Sequence, residues 1–336
     1  MSKPAHTAVR TYFAITLAAA AASVVAAPTC GACTLAVASV IPVTVDHDRI
    51  WLDAEINGHK ASMRLATGSN VTVLDTSAAQ RFGVGFGRPT YDFYAVGGVK
   101  PMDVVHVAKL RIGNLSSDGI DLDAVDMRTG DADPRLAGLL GMSILSHYDI
   151  DLDLAGGHVV LYEAKDGCHK PTVALAPNLY TARLQSAYLD QQAIVTVTIN
   201  GHPFQALLDS GAPHSLMYFP AALRLGIDVS ALHVPGHSVI SGFGPAPVAS
   251  IKHVFDNVVI GDLQISHLPI SIIEQYCNGA GYEQTGTVIG GRTVYQAGLE
   301  QIVIGADIMQ KIHFWVSHSS QTLVMQFPPL PSVLPK

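Results

Sequence analysis

"ASMRLATGSNVTVL" (61–74) and "FQALLDSGAPHSLM" (204–217) decide the fold, because the second rewrites the first 143 positions later. Each is an apolar run that climbs into a triplet, Ala66-Thr67-Gly68 or Asp209-Ser210-Gly211, and continues into a second short apolar run. The correspondence widens without a gap to 55–84 and 198–227. Asn57-Gly58-His59 falls on Asn200-Gly201-His202, Ala78-Ala79 on Ala221-Ala222, Arg81 on Arg224, and Gly83 on Gly226. Farther on, "LRIGNL" (110–115) matches "VVIGDL" (258–263) at an offset of 148, and "LLGMSIL" (139–145) matches "VIGADIM" (303–309) at 164. A register that lengthens in steps is what a duplicated unit with loop insertions gives. The last step points to an extra loop in the second copy, around 274–296.

Each copy has a β pattern. Asn-Gly after a branched apolar run predicts a two-residue hairpin turn. The helix-like stretches "SAAQRFG" and "PAALRLG" end on a glycine suited to the C′ position. Glycine-rich hairpin tips follow at "AVGGV" (95–99) and "ISGFGPAP" (240–247), and 147–163 reads as a hairpin that closes the first copy. The expected architecture is all-β: two copies of one domain, over 45–163 and 191–328, with a linker over 164–190. Residues 329–336 form a proline-rich tail.

Composition narrows the function classes. The chain has 336 residues, 49% hydrophobic and 14% charged, against roughly 25% charged in ordinary soluble domains. A net charge of −7 with no basic stripe argues against nucleic acid as a partner. Residues 1–27 carry Lys3 and Arg10, an apolar stretch and the small-residue zone Val24-Val25-Ala26-Ala27, the layout of a cleaved export signal. The expected location is therefore periplasmic or secreted. The apolar run is shorter than the ~20 residues a bilayer span needs, so no stable membrane insertion is expected after cleavage. Four cysteines, Cys30, Cys33, Cys168 and Cys277, allow three pairings in an exported chain. A local Cys30–Cys33 bridge, or none, is the expectation for "CGAC", with Cys168–Cys277 as the accompanying hypothesis.

A lone Asp-Ser-Gly is common, and on its own Asp209 reads as a turn-capping residue. Its duplicated setting resembles the aspartic peptidases of the pepsin and retropepsin clan, in the fused two-lobed form with retropepsin-like lobes found in bacteria. The carriers are Asp209-Ser210-Gly211, its counterpart Ala66-Thr67-Gly68-Ser69, the glycine-tipped flaps, and the triplets Leu139-Leu140-Gly141 and Val303-Ile304-Gly305. The resemblance spans about 45–328 and implies two β-barrel lobes with a cleft between them. It implies an endopeptidase that works with water and no cofactor on a peptide or protein substrate, as a monomer whose lobes form a pseudo-dimer. Asp209 and position 66 become the catalytic pair, with Thr67, Gly68, Ser210 and Gly211 as loop support. Val96, Gly97, Gly98, Gly242, Phe243 and Gly244 become the flaps over an extended peptide.

The departure from the family pattern is Ala66. Two adjacent carboxyls share a proton and divide the roles of base and acid; an alanine can do neither. Weak or absent turnover is expected, and three explanations stay open: an inactivated variant, a pseudopeptidase that keeps the groove for binding, or a partner for Asp209 from elsewhere. Arg64, two positions before Ala66 on one strand face, is expected to be a salt-bridged surface residue; the sharper alternative makes it a cation that lowers the Asp209 pKa. His214 reads as a polar strand-start residue, and His59 and His202 as turn residues. No ligand spacing among the histidines suggests a metal, "VGGV" and "SGFGP" lack phosphate-loop spacing, and neither Ser69 nor Ser215 sits in a G-x-S-x-G elbow.

Overall fold

Two Asn-Gly turns start the two halves alike. Asn57 (φ 50) and Gly58 (φ 80) join Arg49–Ile56 to His59–Leu65, and Asn200 (φ 50) and Gly201 (φ 84) join Ile194–Ile199 to His202–Leu208. Two successive positive φ values give the turn whose twist matches that of the flanking strands. These elements belong to a computed structural model that describes residues 29–30, 33–128, 133–164, 178–185, 192–234, 238–275, 288–289, 292–293 and 301–327. Residues 1–27, where an export signal is expected, Cys168, Cys277 and the tail at 329–336 lie outside the described residues. Among the described residues, no helix is long and apolar enough to cross a membrane.

Each half then makes the same crossing. In the first, His59–Leu65 runs parallel to Leu136–Leu140, with Leu65 opposite Leu140, and Val73–Asp75 runs antiparallel to the same strand on its other edge. In the second, His202–Leu208 is parallel to Ile302–Ile304, and Leu216–Tyr218 is antiparallel to it. The loop between the two flanking strands must therefore cross the end of the middle one. That loop carries Ala66-Thr67-Gly68 in one half and Asp209-Ser210-Gly211 in the other. Short helices follow at Thr76–Arg81 and Phe219–Arg224, burying Ala78, Ala79, Ala221 and Ala222. Asp75 caps the first by accepting from the Ser77 and Ala78 amides, whereas Pro220 opens the second.

A six-stranded antiparallel sheet joins the halves, in the order Cys33–Asp46, His158–Ala164, Asp149–Asp153, His313–Ser317, Thr322–Gln326, Leu179–Gln185. Its centre lies where Asp151 faces Trp315. Those residues stand 164 apart, as Gly141 and Gly305 do, so each is the other's repeat equivalent. The flanking pairs Ile150–Val316 and Leu152–Phe314 exchange under the same offset, which puts the internal two-fold through this point. Polar side chains fasten the join: His313 Nε2 contacts Asp151 Oδ1, and Asp149 accepts from Ser317 Oγ at 2.8 Å and from the Ser319 amide at 2.9 Å. This sheet corrects two expectations. The stretch expected to be a linker holds a strand, Leu179–Gln185, that pairs with both the joining sheet and Ile194–Ile199. Cys33–Asp46, mostly before the expected start of the first lobe at 45, is an integral edge strand. The core of buried Ile, Leu, Val, Met and Phe side chains runs through both halves.

Candidate active-site cleft

The two triplet loops meet tip to tip. Thr67 Oγ1 donates to the Leu208 carbonyl at 2.7 Å and accepts from the Ser210 amide at 3.0 Å, and the Thr67 amide donates to Ser210 Oγ at 3.0 Å. Thr67 and Ser210 are both buried. Each loop is also held on its own lobe: the Ala66 amide donates to Leu140 O and the Asp209 amide to Ile304 O. The approach is close enough that only glycine fits at position 68. A Cβ there would lie 2.2 Å from Asp209 Cγ. Gly211 is similarly confined, with a Cβ meeting that of Ala66 at 2.9 Å.

Asp209 is gripped through one oxygen. Its Oδ1 accepts from the Gly211 amide at 2.7 Å and from the Gly68 amide, across the lobe boundary, at 3.1 Å. Burial pushes its pKa above the ordinary carboxylate value, outweighing the Gly211 and Gly68 amides and the Arg64 cation, which pull it down. With Oδ1 committed as an acceptor, a proton on this carboxyl belongs on Oδ2. The opposite position is Ala66, 2% exposed and packed with Trp51, Val73, Phe93, Met102 and Leu139.

Arg64 departs from the surface expectation. It is 7% exposed, and its Nη2 donates to the Gly211 carbonyl at 2.6 Å. Alternation explains the placement: Met63 and Leu65 fill the lobe core, so Arg64 and Ala66 share the opposite, cleft-side face. Its charge acts on Asp209 with the expected sign, but burial of the carboxyl prevails and the net direction is upward. His214 is exposed, 3.9 Å from Asp48, and His59 stacks on Phe82. Among the described residues, no cluster of His, Cys, Asp or Glu could hold a metal ion.

The flaps cross over the triplets. Gly85–Ala95 and Gly98–Ile112 form the first around Val96-Gly97, and Ser238–Ile240 with Val248–Phe255 forms the second. Their tips touch: the Gly244 amide donates to Val96 O at 3.0 Å and the Ala246 amide to Gly97 O at 3.1 Å. A Cβ on Gly244 would fall 2.2 Å from the Gly97 carbonyl carbon, and one on Gly242 2.5 Å from Val96 O. Gly98, with φ 115, lies against Pro245. Each tip packs on the other lobe's floor: Phe243 joins the Ala66 and Leu139 cluster, and Val96 joins Leu216, Ile273 and Val303.

The positions of Gln275 and Gln192 carried no sequence signal. Gln275 clasps the first flap, accepting from the Gly97 amide at 2.9 Å and donating to Ala95 O at 3.2 Å. Gln192 Nε2 donates to Gly68 O. Thr72 and Ser215 were legible through the repeat, since they stand 143 apart and their hydroxyls accept from the amides of Gly141 and Gly305 at 3.0 and 2.9 Å.

Residues 52–144 and 195–313, more than half of the chain and one segment per lobe, match the family described as Aspartyl protease. The chain belongs to that family. The aspartyl protease match brackets both triplets and both flap turns, so the two halves are two copies of the aspartyl protease unit. Among solved structures, the chain is similar to Basic 7S globulin from soybean, with 12% identity and a TM-score of 0.42, over 86% of this chain and 94% of that one. No curated protein sequence matches it.

Proposed function

We propose that this protein binds extended peptides in the cleft between its lobes and hydrolyses them slowly, with Asp209 as its one catalytic-position carboxyl. The observation that carries the reading is the unequal pair at the loop junction. Asp209 sits in a cradle of two amides, and its counterpart position, 66, holds a buried alanine. Peptide hydrolysis by this family's route needs one group to take a proton from water while another gives one to the scissile carbonyl or leaving amine. Asp209, held toward its neutral form by burial, can supply the second role. Nothing at position 66 can supply the first. A missing acid–base group costs about 10²–10⁴ in rate. The flaps would lie along the bound peptide and pair with its backbone as added strands do, while the apolar floors around Leu139 and Val303 receive side chains. Export with removal of 1–27 belongs to the same proposal, and N-terminal sequencing of the protein recovered outside the cytoplasm tests it.

The test compares three purified proteins on one mixed peptide library, read by mass spectrometry from acid to neutral pH: the parent, Ala66→Asp, and Ala66→Asp combined with Asp209→Asn. Cutting by Ala66→Asp at least 10²-fold faster than by the parent, and lost in the double variant, is the expected result. Parent cutting as fast as Ala66→Asp would overturn the proposal. A peptide-binding scaffold without turnover is the second reading, favoured by the same alanine; binding without cleavage by the parent is its mark.

A further inference from the structure

Arg64 is a buried cation in the cleft with few of its hydrogen bonds made. It is buried beneath the second flap, with the Phe243 ring 5.4 Å from its guanidinium carbon, and its Nε has no hydrogen-bond partner. Of its five N–H donors, one is committed among the described residues, to Gly211 O. A buried charge is normally paired, since removing it from water is expensive. Yet among the described residues no carboxylate lies within ion-pair distance of Arg64: Asp209 and Asp133 act on it only at longer range, and half-buried Arg49, itself without an ion-pair partner there, adds a like charge. Nearby Arg135 is neutralised by Asp46 and Asp133. Burial brings the Arg64 pKa down to about 10, so the side chain remains a cation at neutral pH.

We propose that Arg64 is a carboxylate receptor, so that the cleft selects peptides presenting an acidic group next to the loop junction, from an Asp or Glu side chain or from a chain terminus. This rests on the peptide-cleft reading above and adds a specificity to it. A carboxylate accepts two parallel N–H bonds from a guanidinium, which would satisfy Nε together with one Nη. Phe243 already covers the cation, so a ligand carboxylate would be bound away from water, where a charge-assisted bond is strongest. The matching strand position in the other lobe offers no such group. The residue equivalent to Arg64 is Leu207, so the preference belongs to one side of the cleft.

Fluorescence anisotropy with the full chain tests this. Extended peptides of otherwise neutral sequence are compared as Glu and Gln versions at each position in turn, each with free and amidated C-termini. The parent is expected to bind one acidic version about 10-fold or more tighter than its neutral twin, the size of one charge-assisted hydrogen bond. The position of that preference separates an internal acid from a terminus. In Arg64→Met the preference should fall below about twofold while neutral peptides still bind, and Arg64→Lys should keep part of it. Equal binding of acidic and neutral twins by the parent, or an undiminished preference in Arg64→Met, would overturn the receptor. Failure of every peptide to bind the parent would instead overturn the cleft reading itself.

Discussion

Replacing Thr67 by valine removes a hydroxyl with almost no change of shape. In the folded protein that hydroxyl gives its proton to Leu208 O at 2.7 Å and takes one from the Ser210 amide at 3.0 Å. Both partners are backbone groups at a buried junction, and a methyl group cannot serve either. A buried polar group left without a partner costs about 1–3 kcal/mol, so two such groups predict a loss of about 2–6 kcal/mol. Ser210→Ala is the paired control. Ser210 Oγ accepts a single bond, from the Thr67 amide, and its removal leaves one orphan and a loss of about 1–3 kcal/mol. The repeat makes Thr67 and Ser210 equivalent, yet their bonding is unequal, so the threonine variant should be the weaker protein. Urea unfolding of the parent and both variants, followed by tryptophan fluorescence, supplies the comparison; Trp51 and Trp315 report from the first lobe and the joining sheet. The slope with denaturant should stay constant, because neither change alters the area buried. If Thr67→Val costs no more than Ser210→Ala, or if either costs less than about 0.5 kcal/mol, the junction is not held by these bonds and the reasoning fails.

Two further predictions concern pH. Burial raises the Asp209 pKa in the folded state, so the folded chain keeps a proton that the unfolded chain loses, and stability falls as pH rises from the unfolded carboxyl value, ~3.9, through the folded one. Asp209→Asn should therefore melt above the parent at pH 7, by about 1.4 kcal/mol for each pH unit separating the two values, with the gap closing below about pH 4. A constant gap across that range would refute it. For His313, burial pulls the pKa down, but the hydrogen bond and charge of Asp151, with Asp153, overcome it and the net direction is upward. Its stabilising contribution is thus complete below the unfolded value, ~6.5, and lost as pH rises through the folded one. Melting temperatures from pH 5.5 to 8.5 should fall more steeply for the parent than for Asp151→Asn, and parallel profiles would count against the bond.

Much of the duplication is local information, and the sequence alone determined it. Asn-Gly turns, strand alternation and the offsets of 143, 148 and 164 are readable because hairpin and strand patterns repeat over a few residues. They also located Asp209 and the position it lacks a partner at, since equivalence under the repeat names residue 66 before any coordinates do. What the tertiary structure decided depends on which surfaces meet. Arg64 looks like a surface residue in sequence because arginine usually is one; it is buried because its strand face is roofed by a flap from the other lobe. Leu179–Gln185 looks like linker because both its partners, Ile194–Ile199 and Thr322–Gln326, come later in the chain and the second is more than a hundred residues away. The clasp of Gln275 on the flap and the two-fold at Asp151 and Trp315 are likewise contacts at long sequence separation. Local propensity specifies the strands and turns, whereas burial and pairing across the join are properties of the assembled surfaces, which no single segment carries.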